Sequence, residues 1–265
     1  HSSSNLIEPI FFNHLIIGSL ENPFVTFVDI ARCLCNPTLP PSGVSTGSII
    51  PHCDACNNLG PTTLALESNA LEFGEFTLKS GRVSPYFFNA AKMLNGCDLY
   101  GLANCYVEAI NHSKVKFDCL YGPAYKGIFL GSIVAMMFSK KSTPYPLSFN
   151  RKEIKDHGEG GNIIGADPAG DVMIIDDVLS AGTAARESIK LIKGVNAVPK
   201  VFLVGLDRQE KGKGNLSASA ELEAEYGINV QSIIDLNSLI EFSQKNSEFQ
   251  AHVLELEEYR DNWGA

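Results

Sequence analysis

The chain has 265 residues, 45% of them hydrophobic and 19% charged, with a formal net charge of −9. That is the composition of a soluble globular protein with room for one large domain or two small ones, and the surplus of acid argues against a broad nucleic-acid footprint while leaving room for a small anionic ligand at a local basic site. No apolar run approaches the roughly 20 residues that span a bilayer, since even FFNHLIIGSL is interrupted at Asn13, His14 and Gly18.

The first stretch, HSSSNLIEPIFF, lacks the basic start of a secretory signal and the arginine-rich character of a transit peptide, so a cytoplasmic protein without membrane or nucleic-acid partners is expected. Residues 1–61 contain NPTLPPSGVSTGSIIP and no sustained periodicity, and read as an N-terminal appendage ahead of a domain spanning 62–265. The seven cysteines are an odd number in a chain far longer than a disulfide scaffold, so reduced thiols are expected. Cys33, Cys35, Cys53 and Cys56 beside His52 could be gathered around zinc, but Cys-x-Cys departs from the usual Cys-x2-Cys spacing and incidental cysteines are the preferred reading.

From Pro61 the pattern sharpens. TTLALESNALEFGEFTLKSG places Leu64, Ala65 and Leu71 on one helical face, followed by β-like runs around Phe76 and from Tyr86 to Phe88. CDLYGLANCYVEAINHS has helical spacing, and FDCLYGPAYKG reads as a short buried strand stopped by a Gly-Pro turn before a helix through IFLGSIVAMMF. Strand DVMIID, a loop and helix AARESIKLIK repeat the arrangement, KVFLVGLDRQ supplies a further strand, and GKGNLSASAELEAEYG reads as a flexible connection entering a helix. Apolar strands alternating with helices imply an α/β fold with a mostly parallel sheet covered on both faces, and loops after Leu120, Ile175 and Leu206 that converge on one site.

In that site, LSAGTAA sets Ser180, Ala181, Gly182 and Thr183 at the start of a helix, where free N–H groups and the positive dipole end favour a phosphate. A plain helix cap is the bland alternative. Asp176 and Asp177 stand just before it, and buried like charges need a cation or hydrogen-bond donors. A sugar phosphate meets both demands, with its phosphate in the small-residue loop and its hydroxyls several ångströms away at the carboxylates.

VMIIDDVLSAGTA resembles the phosphoribosyl pyrophosphate motif of type I phosphoribosyltransferases. FGEFTLKSGRVSPYFFN, GPAYKG, NRKEIKDHGEGG and LDRQEKG, in that order, resemble the motifs of the orotate phosphoribosyltransferase family, over about residues 62–265. The resemblance implies a type I phosphoribosyltransferase fold: a mostly parallel central sheet flanked by helices, with a small hood. It assigns Asp176 and Asp177 to the ribose hydroxyls and Val178, Leu179, Ser180, Ala181, Gly182, Thr183 and Ala184 to the 5′-phosphate, with Ser180 replacing the family's more common threonine. Tyr125 and Lys126 fall to the donor's pyrophosphate, and Arg151, Lys152, Lys155 and His157 to a mobile lid over the leaving group. Phe87 and Phe88 go to the planar base, while Lys79 and Arg208 bring positive charge near the ligands, the fork of Arg208 suiting the orotate carboxylate. Without the resemblance, the basic stretch reads first as a solvated charged loop, the phenylalanine pair as a piece of core, and Lys79 and Arg208 as surface salt-bridge partners.

The implied reaction is reversible, Mg2+-dependent transfer of phosphoribosyl from 5-phospho-α-D-ribose 1-diphosphate to orotate in pyrimidine (UMP) biosynthesis, by a homodimer whose lids reach across subunits. Lys155, His157, Asp176 and Asp177 are the expected catalytic group. Transfer to another base is the alternative enzyme reading. A donor-sensing regulator is the alternative outside catalysis, and the basic lid and the lack of a clear helix-turn-helix pattern speak against it. No barrel domain fits in the remaining length, so decarboxylation of the product is expected to reside elsewhere.

Overall fold

The computed structural model describes residues 59–78, 80–152 and 162–265; the clustered cysteines with His52, Lys79, Lys155 and His157, and all of the expected appendage up to residue 58, lie outside the described residues. Helix α1 (Pro61–Glu67) has proline in its first turn, where a missing N–H costs nothing, and buries Leu64 and Ala65. It is short because Ser68 Oγ donates to Leu64 O at 2.8 Å and Asn69 turns left-handed with φ 54°. Leu71, expected on the same helical face, instead opens strand β1 (Leu71–Thr77) at 2% exposure. An inward leucine suits either pattern, and the turn at Asn69 decides between them.

Strand β1 pairs antiparallel with β2 (Val83–Phe88) in a two-stranded hood. The pleat of β2 sends Ser84, Tyr86 and Phe88 inward and Val83 and Phe87 outward. Helix α2 (Gly96–Ser113) buries Leu102, Tyr106, Val107 and Ile110 and leads into the central sheet.

That sheet contains β3 (Cys119–Gly122), β4 (Leu147–Asn150), β5 (Ile163–Gly165), β6 (Asp171–Leu179), β7 (Val198–Asp207) and β8 (Asn229–Asp235), in the order β5-β4-β3-β6-β7-β8. Every neighbouring pair is parallel except β4 with β5, so the sheet is parallel with one antiparallel edge. Helices α3 (Lys126–Lys140), α4 (Thr183–Gly194), α5 (Ala218–Tyr226), α6 (Leu236–Lys245) and α7 (Val253–Trp263) complete the described elements, with two short 3-10 turns. One face of the sheet, with Met173 and Ile175, packs on α1, α2, α3, α6 and α7; the other, with Val172 and Ile174, packs on α4 and α5.

The strand expected over DVMIID continues to Leu179, because β7 keeps pairing beyond it, Val178 with Leu206 and Leu179 with Asp207. Asp176 and Asp177 therefore lie inside a strand rather than past its end. Asp177 is turned towards the start of α3, where it meets Lys126.

From β3 the chain goes out to β4 on one side and returns to β6 on the other, so the strand order reverses between β3 and β6. Crevices at such reversals, beyond the carboxyl ends of the strands, are where open α/β sheets bind ligands. Here the crevice depends on two glycines. A Cβ on Gly122 would stand 2.1 Å from Gly127 O, and one on Gly127 would stand 2.4 Å from Pro123 Cδ and 2.7 Å from Ile175 O. Helix α3 thus starts directly against β6. Gly127→Ala is expected to lower stability by about 2 kcal/mol or more through overpacking against backbone. Urea unfolding measures it, and a loss under about 0.5 kcal/mol would contradict this packing.

Candidate active site

Lys126, the first residue of α3, reaches across the reversal point and places Nζ 2.5 Å from Asp177 Oδ2. The lysine side chain is 40% exposed and the aspartate 11%, so the pair has one wet and one dry partner. Asp177 is compensated by this cation. Asp176 has no such partner among the described residues: its Oδ1 accepts the backbone N–H of Asp177 at 3.0 Å, and its carbonyl oxygen accepts the hydroxyl of Tyr106 at 2.8 Å.

Tyr106 is a support that the sequence reading did not single out. It is fully buried, and a Cβ on Gly205 of β7 would come 2.9 Å from its hydroxyl, 3.0 Å from Asp177 O and 3.7 Å from the Phe88 ring. Phe88, Tyr106 and the acid strand therefore meet over one glycine. The signal was available in α2, since a tyrosine on the buried face of a helix needs a partner for its hydroxyl. Phe87 is not part of this convergence; it stands on the outer side of β2, 36% exposed, with its ring 5.5 Å from that of Phe76.

After β6 the loop is Ser180, Ala181 and Gly182, with Gly182 left-handed at φ 74° as the cap residue of α4. Ser180, Ala181, Thr183 and Ala184 are exposed, Val178 is half-buried, and Leu179 is 1% exposed in the core, so only the backbone of Leu179 is available to a ligand. The first turn of α4 follows this loop with its N–H groups at the helix start.

At the start of α3, Asn150 Oδ1 accepts the Ala124 N–H at 2.9 Å, tying the end of β4 to the turn after β3. Lys152 Nζ lies 4.6 Å over the ring of Tyr125, itself 68% exposed, and the Arg151 N–H bonds Asn162 O at 2.8 Å. Residues 151 and 162 are thus bonded to each other, with Lys152 beside Tyr125.

Arg208 follows β7 and is 4% exposed. Its Nε donates to Glu210 Oε1 at 2.5 Å, and its Nη2 donates to Ser84 Oγ at 2.8 Å and to Tyr259 OH at 2.9 Å. Tyr259 in turn donates to Glu210 Oε1 at 2.5 Å, and Arg82 Nη1 meets Glu210 Oε2 at 2.7 Å. The fork expected to face a substrate carboxylate is here engaged with Glu210, the hood and α7. Glu210, Tyr259 and Arg82 gave no separate signal in the sequence, because they lie in different elements and come together only through the hood.

Among the described residues no group of three or more His, Cys, Asp or Glu side chains could hold a metal on its own. Cys97, Cys105 and Cys119 form no disulfide among the described residues.

No family model matches the chain. An orotate phosphoribosyltransferase of Francisella tularensis, solved as a crystal structure, aligns at TM-score 0.67 and 38% identity, covering 76% of this chain and 98% of that one. The sheet order, the acid pair and the small-residue loop at its reversal point define a type I phosphoribosyltransferase. The chain is also 52% identical over 200 residues to the orotate phosphoribosyltransferase of Marinobacter nauticus and 49% identical over 201 residues to that of Haemophilus influenzae, in each case covering 76% of this chain and 94% of the relative. It belongs to the orotate phosphoribosyltransferase family.

Burial, with the charge of Asp177 adding to it, raises the Asp176 carboxyl to about 7, against the opposing pull of the Asp177 N–H and Lys126. A folded-state value above the unfolded one means that the group's contribution to stability is fully present below about pH 4 and is lost as pH rises through about 7. Asp176→Asn, which cannot ionise, should therefore gain stability over the native protein by on the order of 1–3 kcal/mol near pH 8, and the gain should shrink towards pH 4. Unfolding of both proteins across that range checks this; a difference that grows towards low pH would contradict it.

Proposed function

We propose that the protein transfers a phosphoribosyl group from 5-phospho-α-D-ribose 1-diphosphate to orotate, reversibly, forming orotidine 5′-phosphate and diphosphate on the route to UMP. The observation that carries the reading is the Lys126–Asp177 pair at 2.5 Å, set between the turn after β3 and the small-residue loop after β6. Cation, carboxylates and helix N-terminus stand in the order that a sugar bearing phosphate at one end and diphosphate at the other requires. The identity of orotate as the base rests on the family.

In this reading the diphosphate displaces Asp177 from Lys126, and the freed carboxylate turns to the ribose hydroxyls beside Asp176. The bond from C1′ to the diphosphate oxygen breaks and a bond from C1′ to the ring nitrogen of orotate forms, with positive charge growing on the sugar and negative charge on the leaving group. Asp176 and Asp177 stabilise the first and Lys126 the second, helped by Arg151, Lys152, Lys155 and His157 as the lid closes and excludes water. Phe88, packed beside Tyr106, is the phenylalanine assigned to the base side, while Lys79 is assigned to the ligands by the family resemblance alone. Arg208 shapes the base side through the partners it already holds.

Mg2+ belongs to the proposal. A cation that keeps several waters and takes one or two carboxylates along with substrate phosphates needs no three-carboxylate cage, and Asp176 and Asp177 are the oxygens at hand. When bound, the ion supplies charge neutralisation to the diphosphate. We further propose a cytoplasmic homodimer with the lid shared between subunits, in line with the family resemblance and with the absence of any described helix long and apolar enough to cross a membrane.

The test is the fall in orotate absorbance on adding protein, donor and Mg2+, with adenine, hypoxanthine and uracil followed in parallel. Donor-dependent and Mg2+-dependent loss of orotate alone is expected; turnover of another base, or of none, would overturn the assignment. Lys155→Ala should lower kcat by roughly 100-fold or more with unchanged melting, as removal of a group that stabilises the departing charge does. Near-native turnover would remove Lys155 from the catalytic group.

A further inference from the structure

Arg186 lies one turn into α4 and is 8% exposed, in a place where the positive end of the helix disfavours a cation. The chemistry above makes no use of it. Its guanidinium is shared among three acceptors: Nη1 donates to Ala181 O at 2.9 Å, Nη2 to Glu221 Oε2 at 2.7 Å and Nε to Glu225 Oε2 at 3.2 Å. Glu221 and Glu225 come from α5 and supply the counter-charge that a buried cation needs. Glu221 also accepts the Gly214 N–H at 2.6 Å, which fixes that carboxylate from a second direction.

The bond to Ala181 dictates the geometry of the next N–H. In a planar trans peptide the carbonyl of one residue and the N–H of the next point in opposite directions. With Ala181 O drawn inward to a buried guanidinium, the Gly182 N–H is turned outward to the loop mouth, where Ala181 and Thr183 are exposed. The opposite orientation would present a carbonyl oxygen to an arriving anion. Gly182 is held close to the same group, since a Cβ there would stand 2.9 Å from Arg186 Nη1.

We infer that Arg186, clamped by Glu221 and Glu225, is a positioning residue that fixes the Ala181–Gly182 peptide with its N–H towards the 5′-phosphate, so that the loop is organised before the ligand arrives. The inference rests on the assignment of this loop to the 5′-phosphate. It makes a separable claim: loss of Arg186 harms the phosphate end of the donor and spares the diphosphate end at Lys126.

The experiment compares native protein and Arg186→Met in their binding of ribose 5-phosphate and of inorganic pyrophosphate by titration calorimetry, with KM for the donor and kcat measured alongside. Ribose 5-phosphate affinity is expected to fall at least about tenfold, as for loss of a hydrogen bond to a charged group, with pyrophosphate affinity held within about twofold. KM for the donor should rise with the same factor while kcat at saturation changes little. Equal weakening of both ligands, or unchanged ribose 5-phosphate affinity, overturns the inference. Native protein that binds neither ligand overturns the functional reading itself, a result distinct from a variant that behaves as the native protein does. If Arg186→Met does not fold, the pair Arg186→Met with Glu221→Gln, which also removes the stranded carboxylate, is put through the same comparison.

Discussion

The contact between Lys126 and Asp177 spans the point where the strand order reverses, and the rest of the site is arranged around it. It forms only because two glycines let α3 begin against β6, and because β6 continues past the expected strand end so that Asp177 still projects to the α3 face. A buried carboxylate on its own would be costly. Paired with a half-exposed lysine, it has its counter-charge, and the proposed reaction uses the exposed side of that pair. Its neighbour Asp176 forms no ion pair among the described residues, and burial together with the charge of Asp177 raises its carboxyl to about 7, which disfavours its ionised form.

A second cluster holds the molecule's hood to its body. Arg208 and Glu210 are both nearly fully buried, and between them they take in Ser84 of β2, Tyr259 of α7 and Arg82 of the turn before β2. Buried ion pairs of this kind add little net stability but specify geometry, because any misplacement leaves a charge unpaired. The last described helix is thereby tied to the hood and to the end of β7.

Much of this was legible in the residues. The acids, the small-residue loop and the lysine flanked by a strand end and glycine could be read directly, since each pairs a costly group with a local pattern that explains it. The long apolar strands β6 and β7 and the helices α2 and α3 were equally plain. Strands β4 and β5, at four and three residues, are too short for alternation to declare them, and Leu71 suited two patterns until the turn at Asn69 chose one. The roles of Tyr106, Glu210, Tyr259 and Arg186 were hidden for a different reason: each acts through a partner between 5 and 128 positions away in sequence, except where Glu210 meets its near neighbour Arg208, and no local spacing announces such bonds. The departure of β6 from its expected end had the same origin, because Val178 and Leu179 are held in the sheet by β7.

The central claim is that one crevice separates attraction and repulsion along a single ligand, with phosphate at the helix N-terminus and hydroxyls at the acids. A crystal structure of the protein with ribose 5-phosphate tests this most directly. The account predicts the phosphate on the backbone N–H groups of residues 180–184, with the ribose hydroxyls on Asp176 and Asp177. A phosphate seated on Lys126 with the sugar turned away from the acids would contradict it.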